Sequence, residues 1–184
     1  MIRAALAFAL LAACNGGGGG SSTSSGGKAD GDRGKDWSGV ALDTTTTANI
    51  GNIMFDLQLP SGWKEEKTAA TQFSRAWRPD MKNSAGEPGV TVQKELKPPQ
   101  TMADFVGEVG LGDKYVIEHK EMNGDFFIIA AHAKDNTSVE VVLVRQKGDT
   151  YLSCQAIQNK VSGVPNPEGT QAWLEKVCQS LKIK

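Results

Sequence analysis

The chain has 184 residues, 39% hydrophobic and 22% charged, with 7 prolines and with 9 of its 21 glycines in the first 34 residues. This is the composition of one globular domain, and it excludes a collagen or a wholly disordered chain. Twenty Lys plus Arg against 21 Asp plus Glu leave a net charge of −1. That lacks the positive excess on which phosphate-backbone binding draws, so nucleic acid is not an expected partner.

Met1 to Cys14 holds one basic residue, Arg3, then an apolar run of Ala, Leu and Phe from Ala4 to Ala13. Ten such residues span about half of a ~30 Å hydrocarbon core, so the segment reads as an export signal and not as a membrane-spanning helix. Leu11-Ala12-Ala13-Cys14 closely resembles the lipobox of bacterial lipoproteins. The resemblance implies that the signal, residues 1–13, is cut just before Cys14 and that the Cys14 thiol carries a diacylglyceryl group. Membrane lipid is then the first partner, and the bacterial cell envelope the location. The alternative is an ordinary secretory signal cut after Ala13 with an unmodified cysteine.

From Asn15 to Gly34 the sequence is Gly, Ser and Thr with scattered charges, without the apolar residues that offset the entropy of ordering. A flexible linker is expected over 14–49, with the folded domain over 50–184. Gly16 to Gly20 do not read as a phosphate loop, because no strand precedes them and no Lys-Ser/Thr pair follows. Asp30-Gly31-Asp32 opens like a calcium loop, but its twelfth position would be Ala41 instead of Glu.

Past Ile50, short apolar runs separated by turn signals predict strands at Ile53 to Leu59, Gln72 to Arg78, Val90 to Leu96, Tyr115 to Met122, Asp125 to Ala133, Ser138 to Gln146 and Tyr151 to Gln158. Asn123-Gly124, Asp135-Asn136 and Lys147-Gly148-Asp149 supply turn residues between the last four, which should form a meander. Val139, Val141 and Leu143 alternate with Val142 and Val144, so that strand is expected at the centre of the sheet with cover on both faces. A helix should start at Thr101, where Thr101-x-x-Asp104 is a variant capping box and Met102, Phe105, Val106 and Val109 form one stripe. A second should start after Asn166-Pro167, with Trp173, Leu174, Val177, Cys178 and Leu181 along one face. The fold class is α+β.

With Cys14 assigned to lipid, Cys154 and Cys178 are an even pair in an exported chain and should be bonded; two buried free thiols are the alternative. The order of elements, the stretch Phe55-Asp56-Leu57-Gln58-Leu59-Pro60-Ser61-Gly62-Trp63 and the closing Glu175-Lys176-Val177-Cys178-Gln179-Ser180-Leu181 resemble the PsbP-like superfamily over about Gly51 to Lys184. That family is named for an extrinsic subunit of the photosynthetic oxygen-evolving complex, and it includes a nuclear Ran-binding protein and many bacterial lipoproteins. The resemblance implies an antiparallel sheet sandwiched by helices (an α/β/α sandwich) and protein binding without catalysis. It transfers no functional residue.

The residues themselves offer little chemistry. His119 and Glu121 share a strand face with Asp125 nearby, a set that fits a weak metal site less well than a solvated strand face; no metal and no cofactor is expected. There is no Gly-x-Ser-x-Gly elbow, Ser162-Gly163 lies in a loop, and Glu65-Glu66 sit between Lys64 and Lys67 as in a charged turn. Trp37, Trp77 and Arg78 are the interface candidates for a protein partner, though for Trp77 packing under its own loop is the preferred reading; Trp63 is assigned to the core. The expected function is therefore a lipid-anchored, non-catalytic protein-binding or scaffolding module. A solute-binding lipoprotein, or an enzyme with a site built from scattered polar residues, is the competing expectation, and a structural role in the envelope a third.

Overall fold

The computed structural model describes residues 35–67, 69–80 and 86–184. The signal over 1–13, Cys14, the five glycines and Asp30-Gly31-Asp32 lie outside the described residues. Within the unit Gly31–Lys184 the elements in chain order are β1 (Thr44–Ile50), β2 (Ile53–Leu59), β3 (Trp63–Glu65), β4 (Ser74–Pro79), β5 (Gly89–Glu95), α1 (Met102–Val109), β6 (Tyr115–Met122), β7 (Phe126–Ala133), β8 (Ser138–Lys147), β9 (Thr150–Asn159), α2 (Pro167–Gln179) and β10 (Lys182–Ile183). Seven strands form one sheet in the order β3-β4-β5-β9-β8-β7-β6, and β1-β2-β10 form a second; all the pairings are antiparallel.

The meander expected from the turn signals is present, each of β6 to β9 pairing with the next. Asn136 and Gly148 take the left-handed conformation that closes two of its hairpins, with φ of 59° at each. The first hairpin closes differently: Gly124 has no positive φ, and instead Asn123 Oδ1 accepts from the backbone N–H of Asp125 at 2.9 Å and of Phe126 at 3.2 Å. A side-chain acceptor here does the work expected of a glycine.

β8 is central, and its alternation separates two cores. Val139, Val141 and Leu143 join a large cluster with Phe55, Leu57, Trp77, Trp173, Leu174 and Leu181, whereas Val144 joins a small one with Phe105 and Ile129. Each large apolar side chain removed from water contributes about 1.5–3 kcal/mol, so the larger cluster dominates the stability. α2 docks on it. Pro167 opens that helix, Asn166 Oδ1 accepts from Gly169 N–H at 3.2 Å, and Trp173, Leu174, Val177 and Cys178 are buried. Cys178 is bonded to Cys154 of β9 across a Cα–Cα distance of 5.4 Å, which ties α2 to the sheet.

Two expectations are corrected. The sheet is not sandwiched by helices alone: on the large-core face α2 shares the cover with β1-β2-β10, whose Ile50, Ile53, Phe55, Leu57 and Leu59 point inward. The linker does not extend to residue 49 either. Trp37 is 2% exposed, its ring lies 5.5 Å from Trp173 and 5.7 Å from Trp63, and β1 follows. The run Thr44-Thr45-Thr46-Thr47 reads as a polar linker by hydropathy, but threonine is β-branched and favours a half-buried strand. Thr46, Ala48 and Ile50 supply the inward side of that strand.

Candidate functional site

The opposite face of the seven-stranded sheet is only partly covered. α1 is capped by Thr101, whose Oγ1 accepts from Asp104 N–H at 3.1 Å and donates to Asp104 Oδ2 at 2.8 Å; it ends at Gly110, with φ of 71°. Eight residues make a helix about 12 Å long and about 10 Å across, enough to shelter roughly two strands spaced at ~4.8 Å. Phe105 is the buried anchor and packs edge-on against Phe127 of β7 at 5.8 Å; Val142 and Val144 of β8 complete the contact. β9 and β5 lie beyond the helix, and there the outward residues turn polar.

A cavity of about 270 Å³ opens at that step. One wall is Phe105, Glu108 and Val109 of α1; the floor is Glu140, Val142 and Val144 of β8, Ser153 and Gln155 of β9, and Gln93 and Glu95 of β5; Lys97 and Pro99 stand at the rim. Register brings these together, because Gln155 lies opposite both Thr91 and Val142, and Ser153 opposite both Gln93 and Val144. Gln155 Nε2 donates to Glu140 Oε1 at 2.7 Å, while Glu95 Oε1 accepts from Ser153 Oγ at 2.7 Å and from Gln93 Nε2 at 3.0 Å. Burial pushes the Glu140 carboxyl above its ordinary value of 4.5, against the smaller opposing effect of the Gln155 hydrogen bond. Among the described residues Glu95, Glu108 and Glu140 form no ion pair, and the partners of Glu95 and Glu140 are neutral amides and a hydroxyl.

The interface candidates stand elsewhere: Trp37 is corrected, and Trp77 takes the packed reading. Trp77 is 2% exposed and meets Phe55 edge-on at 6.1 Å, because its pairing with Val90 points it into the large core. Trp37 is equally buried, with its indole N–H donating to Glu87 Oε2 at 2.6 Å. Neither ring is presented to a partner. Arg78 is half-exposed, pairs with Glu66 at 3.1 Å, and lies across Gly89, where a Cβ would meet its Nε at 3.3 Å. Glu65 belongs to β3 and pairs with Arg75 at 3.2 Å, so Glu65-Glu66 is not a carboxylate pair in a turn. Trp63 is partly buried against the large core.

His119 and Glu121 do share a face, at 3.7 Å, but the stronger partner of His119 is Glu175 of α2, at 2.8 Å from Nδ1. This clasp joins the sheet edge to the helix, and neither strand nor helix periodicity pairs Glu175 with His119. Asp125 does not join it and faces Arg145 instead. No group of three or more His, Cys, Asp or Glu side chains among the described residues is arranged to hold a metal ion. No helix among them is long and apolar enough to cross a membrane.

The geometry defines an α+β domain of mostly antiparallel sheet, with a polar cleft under a short helix. Neither a family model nor a curated protein matches the chain. Solved structures do. A Bacteroides thetaiotaomicron protein superimposes with a TM-score of 0.41 at 13% identity over 71% of this chain, which spans only 45% of that protein's length. LpqN, involved in cell envelope biogenesis of Mycobacterium tuberculosis, gives 0.44 at 11% identity, covering 77% of this chain and 91% of its own. A Pseudomonas aeruginosa protein of unknown function gives 0.37 at 11%, covering 71% and 92%.

Proposed function

We propose that this chain is a bacterial lipoprotein, anchored through acylated Cys14 on the outer side of a membrane, whose PsbP-like domain is a non-catalytic binding module. Its binding site is the cleft under α1, and its ligand is a small cationic solute. Of the competing expectations, this is the solute-binding one. The observation that carries it is the convergence of Glu95, Glu140, Gln93, Gln155 and Ser153 on a cavity of about 270 Å³, just below the range for drug-sized ligands, about 300–1,000 Å³, and so suited to a small solute.

Three carboxylates against one ammonium, Lys97, set the sign of the preferred ligand. A carboxylate desolvated without a cationic neighbour is unfavourable, and an amine seated beside Glu140 would relieve it. The apolar wall of Phe105 and Val109 suits the hydrocarbon part of such a ligand. Support for binding over catalysis comes from the lining: Ser153 is buried in its strand with its hydroxyl committed to Glu95, and neither histidine borders the cleft.

Thermal shift of the full chain with a panel of alkyl diamines, amino sugars and neutral sugars tests this. Amines should raise the melting temperature of the wild type and leave Glu140→Gln and Glu95→Gln unmoved. A shift of equal size in wild type and variants, or none with any amine, refutes the site. Mass spectrometry of the protein from its native host tests the anchor separately, since an unmodified Cys14 would remove it.

A further inference from the structure

Four strands form the edges of the two sheets: β3 and β6 in the larger, β1 and β10 in the smaller. An open edge presents a row of unpaired backbone groups, and proteins blunt such edges by shortness, bulges or charge. β10 has two residues and β3 has three. β6 is longer, but its register shifts between Ile117 and His119, and Glu118-His119-Lys120-Glu121 places four ionisable side chains in a row.

β1 has none of these guards. It runs seven residues in unbroken register with β2, from Thr44 opposite Leu59 to Ile50 opposite Ile53. It contains no charged residue and no proline, and Thr44, Thr45, Thr47 and Asn49 are exposed. Among the described residues, no backbone hydrogen bond reaches it from any strand but β2.

We propose that this edge pairs with the same edge of a second copy of the chain, antiparallel about a two-fold axis through Thr46, joining the small sheets of two molecules into one of six strands. The segment is self-complementary in that register. Thr45 faces the partner's Thr47, and Thr44 faces the partner's Ala48. The one flanking charge, Asp43, meets the partner's Asn49, an amide donor, and Leu42 meets the partner's Ile50, apolar against apolar. Asp43 has an oxygen to offer, since its recorded contacts, from Ser61 N–H at 2.7 Å and Thr44 Oγ1 at 3.3 Å, both fall on Oδ1. A slip of one residue would set Asp43 against Ala48 and mix the inward and outward sides of the strand, and a slip of two would part Asp43 from Asn49 and Leu42 from Ile50, so the pairing has one preferred register. Cross-strand threonine pairs favour this closed, isologous contact, and the ammonium that reaches the strand, Lys184 Nζ at 3.5 Å from Thr47 Oγ1, is neutralised by Asp56 at 2.8 Å.

Sedimentation of the full chain in detergent over a range of concentrations should show a reversible monomer–dimer equilibrium. Thr45→Lys should shift it to monomer while leaving the melting temperature of the monomer unchanged. A second measurement reads the register. In a Cys14→Ala background, with Cys154 and Cys178 bonded to each other, Thr46→Cys should cross-link to a covalent dimer on mild oxidation far faster than Asn49→Cys. A monomer at every concentration up to the solubility limit overturns the proposal, as does a dimer that persists in Thr45→Lys or cross-links equally from both positions.

Discussion

The two faces of the seven-stranded sheet are built from the same strands and finished in different ways. On one face Val92, Val141, Leu143, Leu152 and Cys154 meet α2 and the small sheet, and all five are fully buried. On the other, their immediate neighbours Gln93, Glu140, Val142, Ser153 and Gln155 meet one helix of eight residues and then a cavity. Strand alternation lets a single stretch of chain build a sealed interior on one side and, in the function proposed above, a recognition surface on the other. Full cover makes a core; half cover leaves a cleft.

If that division holds, damage to the covered face should cost most. Replacing both Cys154 and Cys178 by alanine releases a loop with a sequence separation of 24, and the chain-entropy estimate for such a loop is about 3.5 kcal/mol. Urea unfolding of the double variant should show a loss near that size; a loss under about 1 kcal/mol would mean that packing alone holds α2.

The adjacent residues Leu143 and Val144 compare the faces directly, being 0% and 6% exposed on opposite sides of β8. Leu143→Ala should destabilise by about 3 kcal/mol and Val144→Ala by about 1.5 kcal/mol. Equal losses in parallel denaturation curves would erase the distinction between the two clusters.

The smallest effect is the most diagnostic of the cleft. Burial raises the Glu140 pKa in the folded protein, so the folded state holds that proton to a higher pH than the unfolded chain does. Its contribution therefore favours the fold at and below the ordinary value and is lost as pH rises through the raised one. Glu140→Gln should remove that downward slope, and the variant should equal the wild type in acid and exceed it near neutrality. Denaturation midpoints measured from about pH 4 to pH 8 read the difference directly; parallel profiles would show that Glu140 is effectively solvated.

Much of this plan could be read from periodicity. Ile53–Leu59 and Tyr115–Met122 fall at the predicted bounds, both helices start at their predicted caps, and the Cys154–Cys178 bond follows from parity. β3 and β10 are too short to carry a periodic signal, and the threonines of β1 hide a strand behind linker composition. The cleft was illegible for a different reason. Gln93, Glu140 and Gln155 meet because β5 pairs with β9 across more than 50 residues of intervening chain, and hydrophobic alternation does not say which strands become neighbours. Trp77 stayed open between two readings because a tryptophan before a polar loop looks the same in sequence whether its ring turns inward or outward, and the fold takes it inward.

The placement of Glu140 among valines has one more consequence. If β8 slid by a single position along its neighbours, the carboxylate would swing into the tryptophan-rich interior, and Val141 and Leu143 would turn to the half-covered face. An acid kept for the cleft thus also acts as a proofreader during folding, making the misaligned hairpin too unfavourable to persist.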